Sequence, residues 1–318
     1  MRLFPCGRTS GIRRACSMFF YCMRFCFIPI IWYNETAMKQ PDHSTPDMLT
    51  AHGVRRFQKI VFDHYRRCGR DLPWRATADP YLILVSEFML QQTQVDRVLP
   101  KYQEFIGRFP DPAALAQAPL QQVLAAWSGL GYNRRAQALQ KCAEAIMQHC
   151  GGRVPDSQEA LEQLPGIGPY TARAVCVFAF NQPRIVIETN IRAVYIHFFF
   201  PGRSSVQDAD LLPFIQKTLY RRDPRRWYNA LMDYGVMLKK TCGNPTRNSA
   251  GYTRQSPFKG SNREIRGLII KTLVARQACT QAMLIKQTGK EPERVKAVIR
   301  QLMEEGLLKR QAGRIGLP

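Results

Sequence analysis

The spacing of apolar residues predicts helices over most of the chain. In residues 51–241 apolar side chains recur every three or four positions, as they do between Val95 and Ile106. Short breaks rich in proline and glycine separate these segments, and little strand-like alternation is present. We therefore expect an all-α domain over residues 51–241, followed by a polar linker or ordered loop over residues 242–262.

Residues 263–318 follow a different order. Three helical segments, Arg263–Arg276, Thr280–Gln287 and Glu291–Glu305, precede a pattern that is typical of a strand, a turn and a second strand. This order resembles a winged helix-turn-helix, which binds DNA in many proteins. A three-helix protein-interaction module is the alternative. In either case we expect a small separate domain.

The first 50 residues differ from the rest in composition. Basic residues precede an apolar and aromatic run from Ser17 to Tyr33, which Arg24 interrupts. The order is that of an export signal, but no small-residue cleavage site follows. Because a membrane span needs ~20 apolar residues, the interrupted run is a poor span. We favour an atypical leader that reflects a mis-set translation start, with the true start at Met38 or Met48; a membrane or export signal and an unexplained N-terminal arm are the alternatives.

The charge balance favours a polyanionic partner. Lysine and arginine number 46 against 24 aspartate and glutamate, which gives a net charge of +22. The surplus extends through the chain, so nucleic acid is favoured over a membrane surface. The ten cysteines include no CxxC pair, and no metal site is predicted. Cys142 and Cys176 lie in apolar helical segments and are expected to be buried free thiols, which fits a reducing, cytoplasmic location.

Two acidic residues stand alone in apolar runs. Glu87 lies within Tyr81–Leu90, and Glu188 lies within Arg184–Ile191. Such an acid is expected to be buried or half-buried, and because burial disfavours the charged form, it needs a partner or a raised pKa. Hydrolysis of a glycosidic bond uses two such acids. One protonates the leaving group, and the other stabilises or attacks the cationic sugar.

A glycine hairpin lies between the two acids, at Leu164–Gly168. Asp156–Glu159 has the pattern of a capping box that opens a helix through Leu164, and Pro169 suits the first position of the next helix. Glycines let a phosphate approach the backbone, and the free N–H groups of the second helix face it. A helix–hairpin–helix of this kind grips a DNA backbone without reading sequence, whereas a plain helix–helix corner is the alternative. The predicted contacts are Gly166, Ile167 and Gly168.

These motifs resemble those of the endonuclease III-like helix–hairpin–helix DNA glycosylases, and most those of the adenine-specific mismatch branch. The run Glu87-x-Met-Leu-Gln-Gln-Thr-Gln is highly specific. The resemblance implies a two-lobed all-α fold with double-stranded DNA bound across the cleft. The matching stretches are Leu72–Arg75, Pro80-Tyr81, Ser86–Val95, Trp127–Tyr132 and Leu164–Thr171.

The resemblance also implies roles for single residues. Gln91 and Gln92 match the helix that wedges into the gap left by the flipped base. Tyr132 matches the tyrosine that inserts at the opposite base. Trp74 and Arg75 match the wall near the adenine pocket. The alternatives are core packing for the aromatic residues and a solvent-facing helix surface for the glutamines.

The catalytic positions match the family in part. Glu87 matches the acid that protonates the flipped adenine. Glu188 stands where the family has an aspartate, so its carboxylate reaches one methylene further, and a structural carboxylate that caps nearby N–H groups is the alternative. Tyr170 stands where lyase members carry a nucleophilic lysine, so no amine is available for a Schiff base. Cys242 stands alone where the family's four-cysteine iron–sulfur motif begins, and one thiolate cannot hold such a cluster.

The sequence therefore predicts a monomeric, monofunctional DNA N-glycosylase of base excision repair that has no cofactor. The first-choice substrate is adenine mispaired with guanine or 8-oxoguanine. The C-terminal segment does not resemble the domain that senses 8-oxoguanine in adenine-specific relatives. The alternatives are removal of uracil, thymine or an alkylated base on the same scaffold, and a non-catalytic DNA-binding regulator. Retention of both carboxylates argues against the regulator.

The purified protein is expected to be colourless, because the cysteine quartet that would ligate an iron–sulfur cluster is missing. The measurement is an absorbance spectrum together with an iron assay. A band near ~400 nm with stoichiometric iron would contradict the cluster-free assignment.

Overall fold

The computed structural model describes residues 49–318, and this part of the chain is almost entirely helical. It contains fourteen α-helices and three short strands, so the expected all-α fold is confirmed. The predicted leader, with its alternative starts at Met38 and Met48, lies outside the described residues apart from its last two positions. Of the helices in residues 49–318, none combines the length and the apolar content that crossing a membrane requires.

The first eleven helices form two packed groups. Helices α2 to α8 pack on one another, α1 packs with α9, α10 and α11, and α8 contacts α11. The fold therefore has two lobes, as expected. The helices are α1 (Ala51–Cys68), α2 (Pro80–Leu90), α3 (Val95–Arg108), α4 (Pro112–Gln117), α5 (Leu120–Ala126), α6 (Arg134–His149), α7 (Gln158–Glu162), α8 (Pro169–Phe178), α9 (Thr189–Phe199), α10 (Asp208–Thr218) and α11 (Pro224–Thr241).

Helix α2 is apolar on almost every side, which is the pattern of a helix buried all round. Asp79 caps its start by accepting hydrogen bonds from the N–H groups of Tyr81 (2.8 Å) and Leu82 (3.2 Å). Its side chains pack against α3, α6 and α8. Glu87 is thus the one charged residue of an otherwise mostly apolar helix.

The hairpin between α7 and α8 differs from the prediction in one detail. The residue that caps α7 is Ser157, whose hydroxyl accepts a hydrogen bond from the N–H of Ala160 at 3.2 Å. Asp156, the predicted first residue of a capping box, lies one position earlier. Pro169 occupies the first position of α8 as predicted.

Residues 242–262 are ordered by their own contacts. They contain a short 3₁₀ turn at Pro245–Asn248. The N–H of Val206 donates to the carbonyl of Asn248 at 2.8 Å, and the Val206 carbonyl accepts from the N–H of Ala250 at 2.9 Å. This pairing holds the segment against the loop before α10, so the ordered-loop alternative describes it better than a free linker.

The C-terminal segment contains α12 (Asn262–Arg276), β1 (Ala278–Cys279), α13 (Gln281–Thr288), α14 (Pro292–Glu304), β2 (Lys309–Gln311) and β3 (Arg314–Gly316). The antiparallel sheet has the order β1-β3-β2, and Ile315 pairs with both Cys279 and Arg310. The three predicted helices and the final hairpin are confirmed, whereas β1 was not expected. Classification of this segment as a winged helix stays a prediction.

The C-terminal segment is fixed to the α2–α8 lobe. Helix α12 packs against α5, and the Gln121 amide donates to the carbonyl of Val274 at 3.1 Å. Gln137 lies in the first turn of α6, and its amide donates to the carbonyl of Gly306 at 2.9 Å. These contacts set where the start of α12 lies relative to the first lobe.

Helix α11 approaches the start of α9 very closely at Gly235. A Cβ atom added to Gly235 would lie 2.3 Å from the backbone oxygen of Asn190 and 2.7 Å from its Cβ. Real Cβ atoms do not approach a backbone atom to that distance, so no other residue fits without displacing Asn190. The position of α9 relative to α11 therefore depends on this glycine.

We expect Gly235→Ala to destabilise the protein by ~1–3 kcal/mol, because the added methyl overpacks the α9–α11 contact. Gly267→Ala in α12 is the matched control, since its Cβ would meet nothing within 4 Å and alanine is favoured inside a helix by ~0.5–1 kcal/mol. Urea unfolding of both variants measures the difference. Equal stability of the two variants would contradict the close approach.

Candidate active site

Glu87 lies near the end of α2 and is half-buried. Loss of water raises the pKa of the Glu87 carboxyl to about 7, and the charge of Glu188 adds to the rise. A carboxyl with this pKa keeps its proton in a large fraction of molecules at neutral pH. It can therefore act as a general acid.

Glu188 caps the N-terminus of α9. Its Oε1 accepts hydrogen bonds from the backbone N–H groups of Asn190 (2.7 Å) and Ile191 (2.8 Å), and its Oε2 accepts from the Asn190 side-chain amide (3.2 Å). Burial raises the pKa of Glu188, and these hydrogen bonds and the helix start oppose the rise. The capping alternative is thus present in the structure. The catalytic role of Glu188 stays a prediction.

Two cations lie close enough to Glu188 to lower its pKa, Lys239 of α11 and Arg192 of α9. The Lys239 Nζ donates to the side-chain oxygen of Asn190 at 2.9 Å. The Arg192 guanidinium instead makes two hydrogen bonds of 2.7 Å to the carboxylate of Asp208. Lys239 and Asn190 were not among the residues predicted from the sequence. The available signal was that Lys239 lies four positions after Gly235, on the same helix face.

Tyr170 joins the hairpin to the two acids. It is the second residue of α8, and burial raises the pKa of its hydroxyl well above 10, with the charges of Glu87 and Glu188 adding to the rise. The phenol is therefore neutral and lies near both carboxyl groups. The structure thus brings Glu87, Glu188 and the hairpin helix together, as the sequence analysis expected.

The three hairpin residues have different roles. Gly166 has φ +78°, and a Cβ there would lie 2.8 Å from the Cβ of Ala138 and 3.1 Å from the Phe88 ring, so packing requires glycine. The Ile167 side chain is buried in the core. Gly168 is exposed, has an ordinary φ of −91°, and a Cβ there would meet nothing within 4 Å. Gly168 is therefore the glycine at which an external group can approach the backbone at the start of α8.

Gln91 and Gln92 do not lie on a helix. Helix α2 ends at Leu90, and Gln92 has φ +53°, so both glutamines form the turn before α3. The expected helical wedge is corrected to a tight turn. The Gln91 amide donates to the hydroxyl of Thr171 in α8 at 3.4 Å, whereas Gln92 is exposed.

Tyr132 lies on a second exposed turn, with φ +48° and 37% of its surface accessible. Its hydroxyl accepts hydrogen bonds from the Gln255 amide and from Arg263 (3.2 Å). Arg263, in the first turn of α12, also donates to the carbonyl of Ser256 at 2.5 Å. The segment before α12 therefore contacts the Tyr132 side chain, a contact that the sequence pattern did not indicate.

Arg135 ties the two turns together. Its guanidinium lies over the rings of Trp127 (5.3 Å) and Tyr132 (5.4 Å). Burial lowers the pKa of Arg135 to about 10, which leaves it charged at neutral pH. Its acceptors, at 2.6–3.3 Å, are the carbonyls of Phe88, Met89 and Gly131 and the hydroxyl of Thr93.

Trp74 and Arg75 have partners other than the two glutamates. The Trp74 ring is buried edge-on against Tyr102, with ring centroids 5.3 Å apart. The Arg75 guanidinium binds both oxygens of Asp233 at 2.8 and 2.9 Å. Burial raises the pKa of Asp233, but Arg75 and Arg70 outweigh this and lower it. The pocket-wall role of Trp74 and Arg75 stays a prediction.

The residues present do not fit a four-cysteine cluster. Cys242 is exposed at the end of α11, and the following segment is held by the backbone pairing with Val206. Within residues 49–318, no three His, Cys, Asp or Glu side chains are grouped so that they could hold a metal ion. Cys142 and Cys176 are buried free thiols, as predicted. The expectation of a protein without a cofactor stays a prediction.

Comparison with known proteins agrees with this geometry. Residues 85–210 match the model of the HhH-GPD superfamily base excision DNA repair proteins. An adenine DNA glycosylase of Mycobacterium tuberculosis (strain CDC 1551 / Oshkosh) is 36% identical over 279 residues, which cover 80% of this chain and 91% of that protein. A match over 80% of this chain is longer than residues 51–241, so it extends beyond the predicted all-α domain.

Two further similarities concern a different base. A thymine/uracil-DNA glycosylase of Pyrobaculum aerophilum is 34% identical over 174 residues, covering 53% of this chain and 75% of that protein. The solved structure of a thermostable thymine-DNA glycosylase has a TM-score of 0.53 and 26% identity, covering 58% of this chain and 86% of that one.

The raised pKa of Glu87 leads to a stability prediction. The folded pKa of this carboxyl lies above its ordinary value of 4.5. Its ionisation therefore does not lower the free energy of unfolding below pH 4.5, and lowers it by the full amount above the folded pKa. Glu87→Gln should therefore be more stable than the original protein at pH 8, by up to ~3 kcal/mol, and no more stable at pH 4. Chemical unfolding at both pH values measures this.

The control for this comparison is Glu304→Gln, an exposed carboxyl at the end of α14. Its effect on unfolding should be small at both pH values. If Glu87→Gln and Glu304→Gln behave alike at pH 8, the pKa of Glu87 is not raised.

Proposed function

The chain belongs to the HhH-GPD superfamily of base excision DNA repair proteins, in its adenine DNA glycosylase branch, and from that premise we propose that it removes adenine mispaired with guanine or 8-oxoguanine. The reaction is hydrolysis of the N-glycosidic bond by a monomeric enzyme without a cofactor and without a lyase step. The observation that carries this proposal is the Glu87 carboxyl, whose pKa is raised to about 7 beside Glu188.

The partner in this proposal is double-stranded DNA that contains the mispair, inside the cell. The exposed backbone at Gly168 and the start of α8 would receive a phosphate, because a helix N-terminus attracts anions. The turns that carry Gln92 and Tyr132 would enter the duplex beside the flipped nucleotide. Flipping costs a few kcal/mol, and a mispaired base costs least.

Glu87 would supply the proton that the leaving base needs. Its neutral carboxyl donates the proton to a ring nitrogen of the flipped adenine, and the base can then leave with the electron pair of the glycosidic bond. General acid catalysis contributes roughly 10²–10⁴-fold when the pKa of the acid lies near the working pH. The pKa of Glu87 meets that condition.

Glu188 would stabilise the positive charge that develops on the sugar as the bond breaks. An ionised carboxylate beside the anomeric carbon can do so directly, or it can attack and form a transient covalent bond. Water then adds to the sugar, and a carboxylate accepts the proton that the water loses. The product is an abasic site in an intact strand.

Tyr170 supports the absence of a lyase step. A lyase needs an amine that attacks the sugar, and the hydroxyl of Tyr170 stands at the place where lyase members carry that amine. The neutral phenol lies near both carboxyl groups. It can donate a hydrogen bond there but cannot form a Schiff base.

The second candidate is removal of thymine or uracil. The similarities to thymine/uracil-DNA glycosylases favour it. Pyrimidine removal on this scaffold would use the same two acids, so only the substrate separates the two candidates. A regulator without activity is disfavoured because Glu87 and Glu188 are both retained.

A panel of duplexes tests the proposal. Each duplex carries one base pair, such as adenine opposite guanine or 8-oxoguanine, thymine or uracil opposite guanine, or an alkylated base. We expect adenine release from the first two, measured in single-turnover reactions by alkaline cleavage of the abasic strand. Glu87→Gln should slow release by at least ~10²-fold, because the amide keeps the shape and cannot donate the proton. Its affinity for the duplex should change little.

Borohydride added to the same reactions should trap no protein–DNA adduct, because no amine attacks the sugar. Release of thymine or uracil only would favour the second candidate. A strong trapped band that Lys239→Met abolishes would show a lyase step that uses Lys239. Sequence-specific binding without release of any base would indicate a regulator.

A further inference from the structure

Lys239 lies at the end of a chain of three polar side chains that leads to Glu188. The Lys239 Nζ donates to the Asn190 Oδ1 at 2.9 Å, and the Asn190 Nδ2 donates to the Glu188 Oε2 at 3.2 Å. We propose that Lys239 is a positioning residue for base excision, which orients Glu188 through Asn190 and favours its ionised form. The proposal rests on the proposed role of Glu188 at the sugar.

The chain fixes the orientation of the Asn190 amide. A lysine ammonium has only donors, so it accepts no hydrogen bond and must face the amide oxygen. The amide nitrogen then faces the Glu188 carboxylate. Without Lys239 only the carboxylate itself would favour this orientation of the amide. Lys239 thus reinforces the orientation in which the Glu188 Oε2 has a donor.

The charge of Lys239 is available to the site. The titratable side chains that face Glu188 are Glu87 of α2, Tyr170 of α8, Arg192 of α9 and Lys239 of α11. The guanidinium of Arg192 is paired with the carboxylate of Asp208. Within the described residues Lys239 forms no ion pair of its own.

The Lys239 Nζ can reach the Asn190 side chain because α11 approaches α9 closely. Gly235 lies one helical turn before Lys239 and contacts the backbone of Asn190. The same helix face therefore delivers a small residue and a cation to the start of α9. Lys239 is half-buried, and burial lowers its pKa while Glu188 opposes this. The cation and the carboxylate thus stabilise each other's charged forms.

The test compares Lys239→Met and Lys239→Arg with Lys240→Met. Lys240 is the next residue of α11 and is exposed, so it is the matched control. We expect Lys239→Met to slow single-turnover release by roughly 10²-fold, since small misplacements of a catalytic group have effects of that size. Affinity for a duplex with an abasic analogue should stay the same. Lys239→Arg should restore part of the rate, and Lys240→Met should not change it.

The pH profile of the rate separates positioning from a general loss of structure. Removal of the cation raises the pKa of Glu188, so the acid limb of the profile should move to higher pH by about 1 unit in Lys239→Met. The limb at higher pH, where Glu87 loses its proton, should move less. If Lys239 acts through Asn190, adding Lys239→Met to Asn190→Ala should not slow release further. A rate and acid limb like those of Lys240→Met would overturn the proposal.

A stability cycle tests the contact without using activity. Because Lys239 opposes the raised pKa of Glu188, Glu188→Gln should stabilise Lys239→Met more than it stabilises the original protein at pH 8, measured by urea unfolding. Equal effects of Glu188→Gln in both backgrounds would overturn the proposal even if the enzyme is active. If no duplex in the panel loses a base, the proposed function fails, and the stability cycle still decides whether Lys239 supports the charge of Glu188.

Discussion

Two half-buried carboxyl groups lie close enough for the charge of one to affect the other, and their surroundings decide which of them holds the proton. Glu188 has three hydrogen-bond donors and a nearby ammonium group, whereas Glu87 has an apolar helix around it and the charge of Glu188 beside it. The two glutamates therefore differ in how readily they hold a proton because their surroundings differ, although their side chains are chemically identical. A reaction that needs one acid and one carboxylate depends on this inequality.

The inequality depends in turn on backbone packing. Helix caps are usually short side chains, because the cap must fold back to reach the free N–H groups. Glu188 is one methylene longer than the aspartate of the family, and its Oε2 extends to the Asn190 amide while its Oε1 caps the helix. The Asn190 amide is held in turn by Lys239 of α11, a helix that can approach this closely only because residue 235 is glycine. The longer side chain of Glu188 and the close approach of α11 to α9 therefore belong to the same arrangement.

Much of this site could be predicted from the sequence, because hydrophobic pattern reports burial. The isolated acids at 87 and 188 stood out for that reason, and the hairpin that ends at Gly168 stood out through its proline and glycine residues. Strand β1 has only two residues, which is too short for a periodic pattern.

The polar contacts could not be predicted, because they join segments that are distant in sequence. Lys239 meets Asn190 across 49 positions, and Gln255 meets Tyr132 across 123. Neither lysine nor glutamine is unusual where it stands in the chain, and only the packing of the helices shows what each one contacts. The turn at Gln91 and Gln92 was missed for a related reason, since a helical pattern does not show where the last turn ends.

The guanidinium of Arg135 has a consequence for how the protein meets its duplex. One planar group binds the end of α2, the turn before α3 and the turn that bears Tyr132. The same guanidinium therefore holds the two turns together. If the two turns enter the duplex as proposed, the double helix bends and unstacks to fit them, and weakly paired steps do so at the lowest energy. In that case discrimination against undamaged DNA begins with the energy of deforming the duplex, before any base reaches the two carboxyl groups.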